Sequence, residues 1–133
     1  MTLHELGFGK IILLEDDLAE VIINQGVDLT EKMVDEYHDF LRNHLQAPFS
    51  LLVNKLNDYS YTFAAQKKLG IIPEIQAMAV VSYKEATERV TQLLITIPRE
   101  VVWNLRMFSE RDLALAWLYE VQAETHCEAC QSQ

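Results

Sequence analysis

The chain has 133 residues, half of them apolar, with 11 Lys and Arg against 20 Asp and Glu and a formal charge of −9. Such a length suits one ordinary domain whose core needs no metal or disulfide staple, while the acidic balance works against non-specific binding to nucleic acid or to an anionic membrane. No run approaches the ~20 apolar residues of a membrane span, Met1-Thr2-Leu3-His4-Glu5-Leu6 lacks the features of a secretory signal, and the two cysteines fall in the last seven residues, so a cytoplasmic, reducing location is expected.

Residues 10–15 and 18–24 are β-branched-rich runs on either side of Asp16-Asp17, which predicts a hairpin. Thr30 then caps a helix of about four turns. Its buried stripe is Met33, Val34, Tyr37, Phe40, Leu41 and Leu45. Pro48 ends that region, and residues 49–54 read as a buried strand. A polar loop over 57–62 leads into a short helix near 62–69, closed by Gly70. The uncharged run 75–81 is a central strand. Ser82 with Glu85 forms a capping box for a helix carrying Ala86, Val90, Leu93 and Leu94, which Pro98 terminates. Residues 101–108 form a further strand, with Val101, Trp103, Leu105 and Met107 inward and Asn104 and Arg106 opposite. Ser109 and Asp112 start a last helix through Val121, and 124–133 reads as a frayed tail.

The order β-β-α-β-α-β-α-β-α predicts an α/β domain over 1–123. It has a mixed, mostly parallel five-stranded sheet with an antiparallel N-terminal hairpin, helices packed on the sheet, and a flexible tail over 124–133.

The hairpin start, Asp28-Leu29-Thr30 and the closing run Phe108-Ser109-Glu110-Arg111-Asp112-Leu113-Ala114-Leu115-Ala116-Trp117-Leu118 resemble the SpoIIAA-like proteins of the STAS superfamily. These are small bacterial domains related to anti-sigma-factor antagonists, and the resemblance covers about residues 8–120. It implies an interaction module without catalytic activity or cofactor. The family's regulatory loop falls on Asn57-Asp58-Tyr59-Ser60-Tyr61-Thr62, which makes Ser60 and Thr62 the phosphorylation candidates. Asp58 and Ser60 match the family's Asp and Ser, with Tyr59 between them and Tyr61-Thr62 in place of a Gly-containing tail.

The residues themselves support a bland reading beside each sharp one. Ser60 suits a phosphate at a helix start or an ordinary cap. Tyr59 and Tyr61 alternate in an extended loop, so their rings share one side, either as exposed anchors for a protein partner or folded back over the sheet. Glu15, Asp16 and Asp17 read as a solvated turn in preference to a cation site. His126-Cys127-Glu128-Ala129-Cys130 supplies two thiolates where a closed zinc site needs four ligands, so no metal is expected. His38 and His44 read as surface residues of the first helix, His38 on the wet face beside Asp35 or Arg42. The sequence has no G-x-S-x-G elbow, phosphate loop or dinucleotide fingerprint.

The expected function is therefore a regulatory domain that binds a protein partner through residues 57–62. The alternative is a domain for a small apolar ligand or lipid, with Met33, Tyr37, Trp103 and Met107 lining its pocket. Homodimerisation stays open.

Overall fold

A computed structural model describes residues 2–69, 72–84 and 104–131, with side chains through residue 124. Its main sheet has six strands: β1 (Thr2–Leu6), β2 (Gly9–Glu15), β3 (Leu18–Ile23), β5 (Phe49–Lys55), β7 (Ile75–Ser82) and β8 (Leu105–Phe108), in the order β1-β2-β3-β5-β7-β8. The first three pair antiparallel. From β3 onward every pair is parallel. Two short strands, β4 (Asp28–Leu29) and β6 (Ser60–Tyr61), form a separate parallel pair. The helices among the described residues are α1 (Glu31–His44), α2 (Phe63–Lys68) and α3 (Arg111–Gln131).

The expected architecture thus holds at the level of class, with one strand more than the five anticipated. The additional strand is β1, an edge strand with exposed Thr2, Leu3 and Glu5. Its side chains need no apolar alternation because one of its edges and much of its surface face water. The helix expected after Ser82, the Gly70 closure and the inward positions Val101 and Trp103 lie outside the described residues. Ser82 itself donates its hydroxyl to the Lys84 carbonyl at 3.1 Å. The backbone of 124–131 continues α3, where the sequence reading set apart a frayed tail.

Local chemistry places the ends of these elements. The Thr30 Oγ1 accepts from the Met33 amide at 3.3 Å and starts α1; Thr62 does the same for α2 from Ala65 at 3.1 Å. Gly26 has φ +78°, a left-handed turn position that glycine adopts without a Cβ penalty. Gly9 meets a different demand, since a Cβ there would lie 2.5 Å from the Ile22 carbonyl oxygen.

Two cores lie on opposite faces of the sheet. Alternation along β5 sends Phe49, Leu51, Val53 and Lys55 toward α1, and Ser50, Leu52 and Asn54 toward α3. The α1 side gathers Ile11, Val21, Tyr37, Leu41, Phe49 and Leu51. The α3 side is built on smaller residues, Ala77, Ala79 and Ala114 with Leu18, Leu52 and Leu118. Small side chains let α3 approach β5 and β7 closely, whereas α1 stands farther off over bulkier residues. That asymmetry positions the site.

Candidate functional site

Between α1 and the sheet lies a cavity of about 50 Å³, several times the ~10–15 Å³ that admits one water. Val21, Leu51, Val53 and Met78 form its floor, and Val34 and Tyr37 of α1 its roof. Hydrocarbon and sulfur dominate this lining, with four polar tips: the hydroxyls of Tyr37, Tyr59 and Tyr61 and the ammonium of Lys55. The cavity's lining is of the kind that small-molecule sites carry, at a volume well below the roughly 300 Å³ at which such pockets begin.

Lys55 closes β5 and is only 6% exposed. Its Nζ lies 5.4 Å from the ring centre of Tyr59 and 5.6 Å from that of Tyr61, so two aromatic faces support the cation. Burial pushes the lysine down to about 8. The same burial pushes the Tyr59 phenol up to about 12, against the hydrogen bond from Tyr61, and raises Tyr61 and Tyr37 as well. All three tyrosines are therefore neutral donors at pH 7.

The 57–62 segment is not a protruding loop. Backbone bonds from Ser60 N to Val27 O and from Thr62 N to Leu29 O, both 2.9 Å, knit it to β4. Asn57 donates to the Ile23 carbonyl at 2.9 Å, and the Asp58 amide to Gln25 Oε1 at 2.8 Å. Tyr59 and Tyr61 share one side, as expected from their spacing, and that side faces the cavity. The anticipated anchors for a partner are thus half-buried wall residues, because the strand pairing fixes which side turns inward. Asp58 and Ser60 remain exposed. Asp58 pairs with Lys84 at 3.0 Å, and the Ser60 hydroxyl donates to Asp28 at 3.0 Å. Thr62, not Ser60, holds the cap of α2.

Other expectations are revised in place. Of the four residues anticipated to line an apolar pocket, Tyr37 does so; Met33 packs beside the cavity and Met107 is not in its wall, while Trp103 lies outside the described residues. His38 is 5% exposed, not on the wet face, since its spacing from Val34 and Leu41 puts it on the buried stripe. Burial pushes it down to about 4, helped by Arg42 and Lys68 and opposed by Asp35 and Asp39. His44 is exposed and stacks on Phe40 at 4.0 Å. Asp16 and Asp17 form the hairpin turn, and Asp17 accepts from Gln122 at 2.7 Å, tying that turn to α3. Among the described residues no group of three or more His, Cys, Asp or Glu side chains is placed to hold a metal. The side chains of Cys127 and Cys130 lie outside the described residues.

On the α3 side, Glu20 is buried and receives Arg111 at 2.7 and 3.0 Å and Asn54 at 2.8 Å. Burial alone would raise this carboxyl; the two hydrogen-bonding partners and the positive charges of Arg111 and Lys10 outweigh it and hold it below the ordinary value. This network clamps the start of α3 to β3 and reads as structural.

Sequence reasoning missed Lys55 as a site residue, although the signal was present. Positions 49, 51, 53 and 55 share one face of β5, so a strand that turns the first three toward the core turns the lysine inward too. Comparison with family models, curated proteins and solved structures found no match to this chain.

Proposed function

We propose that this protein is a non-enzymatic binding domain for a small apolar ligand, taken up between α1 and the sheet. One observation carries the reading: the cavity is walled almost wholly by apolar side chains, with polar groups only on Tyr37, Lys55, Tyr59 and Tyr61 among its described lining residues. Sequestering an apolar molecule there removes its surface from water at roughly 25 cal/mol per Å². The resemblance to SpoIIAA-like domains fits a small non-catalytic α/β module, and the late Cys127 and Cys130 fit a reducing compartment such as the cytoplasm. Among the described residues no helix is long and apolar enough to cross a membrane. Native mass spectrometry of the purified protein tests the reading. A bound small molecule that disappears in a cavity-filling Val53→Phe variant supports it, and a clean mass that stays clean when alkyl compounds are added refutes it.

A second reading, docking of a protein partner at the same end of the sheet, draws on three exposed apolar residues near segment 57–62. Leu56 is 54% exposed, Phe63 71% and Tyr83 48%. Contiguous exposed apolar surface marks interaction sites. Phosphorylation of Ser60 would set about −1.5 to −2 charges against Asp28, so modification would loosen the β4–β6 pair rather than cap a helix. Partner recovery by Phe63→Ala and Ser60→Asp variants in affinity purification tests this role: unchanged partners with both would dismiss it.

A further inference from the structure

We infer that the ligand is a small neutral carbonyl compound, its alkyl part among the apolar side chains beneath α1 and its oxygen accepting from the phenols of Tyr37 and Tyr59. The inference rests on the ligand-binding reading and goes on to the chemistry of the ligand's polar atom. Tyr37 lines the cavity from α1 and is only 7% exposed, and its hydroxyl makes no hydrogen bond to another described residue. Tyr61 and Tyr59 share one hydrogen bond of 3.2 Å, which uses one phenolic proton and leaves the other without an acceptor. Two donors therefore stand in the cavity wall unmet among the described residues, and an unmet donor away from water is costly. Ionisation does not relieve them, because burial pushes Tyr59 up to about 12 and raises Tyr37 and Tyr61 as well. Tyr59 and Tyr37 also oppose ionisation of Tyr61, which marks the three phenols as neighbours.

Such a pair of donors calls for an acceptor that brings neither a proton nor a charge. A carbonyl oxygen has two lone pairs, one for each phenol. An alcohol would add a third proton in need of an acceptor, and an amine has one lone pair for two donors. A carboxylate would carry charge into a chamber that is mostly hydrocarbon, which is costly, and Lys55 has an interaction of its own. An alkane would leave both protons unmet. Size sets the other limit: about 50 Å³ admits roughly four water-sized groups, so the alkyl part is short.

NMR titration of the full chain at pH 7 tests this with butanone, sec-butanol and sec-butyl chloride, three probes of similar size, read at the methyls of Val21, Leu51 and Met78. Tyr37→Phe should weaken butanone about tenfold, the scale of one hydrogen bond, and change sec-butyl chloride by less than twofold. A Tyr37→Phe variant that weakens both alike, or neither, overturns the carbonyl assignment and leaves the apolar-ligand reading standing. Binding of sec-butyl chloride without butanone does the same. Tighter binding of sec-butanol than of butanone to the native chain also overturns it, in favour of a hydroxyl head. Binding of none of the three removes both. The native chain decides the matter even where Tyr37→Phe does not fold: the carbonyl-carbon resonance of bound butanone should lie downfield of its position in hydrocarbon, and a bound resonance at the hydrocarbon position overturns the assignment.

Discussion

The Tyr61 hydroxyl donates to that of Tyr59 across 3.2 Å, and the two rings meet edge to face with centres 5.4 Å apart. This pair converts a polar-looking hexapeptide into a wall. Were the rings exposed anchors, Tyr61→Ala would change stability by no more than about 0.5 kcal/mol. As a half-buried ring against the α1 core it should cost about 2 kcal/mol, below the 3–5 of a fully buried aromatic. Tyr61→Phe should cost about 1 kcal/mol through the lost hydrogen bond. Urea unfolding of the three proteins gives both differences.

Removing Arg111 leaves the Glu20 carboxylate buried with Asn54 as its remaining hydrogen-bond donor among the described residues. Arg111→Met should destabilise by about 2 kcal/mol, less than a fully buried pair loses because the arginine is partly exposed. The double variant Glu20→Met with Arg111→Met should recover part of that loss. A double-mutant cycle in urea measures the coupling.

His38 predicts the acid limb of stability. Its folded value of about 4 lies below the unfolded 6.5, so the folded state refuses a proton that the unfolded chain accepts. Stability should be intact above pH 7 and fall by about 3 kcal/mol as pH drops from 6.5 to 4. His38→Leu should flatten that window and leave the steeper loss below it, where Glu20 and other carboxyls titrate. Denaturation midpoints measured from pH 7.5 to 4 show the difference.

Lys55 predicts a slope of the same sign on the alkaline side. Its folded value of about 8 lies below the unfolded 10.5, so the buried ammonium disfavours folding at neutral pH. That penalty should fade between pH 8 and 10, raising stability by about 2–3 kcal/mol before the tyrosines ionise. Lys55→Met should be more stable than the native chain at pH 7 and should show no such rise.

Much of the fold could be read from periodicity and caps. The β2–β3 hairpin, α1 behind Thr30, β5, β7 and the apolar face of α3 all follow from apolar spacing and turn chemistry that agree with each other. The rest depends on contacts distant in sequence. β1 has an ordinary polar composition and is a strand because β2 offers it a partner. The β4–β6 pair joins residues 32 apart, so nothing near Tyr59 or Tyr61 in the chain says which way they turn. His38 and Lys55 were different: their inward positions follow from helix and strand period, and their polar character masked it. The cavity itself arises from the unequal spacing of α1 and α3 over the sheet, a tertiary property.

Methyl-selective NMR during titration with small alkyl compounds tests the central claim most directly. Met78, Val21 and Leu51 should shift with a common saturable dependence on concentration, while Leu18, Leu52 and Leu118 on the α3 side stay in place. Shifts confined to the α3 side, or no saturable shift in either set, would contradict a ligand chamber beneath α1.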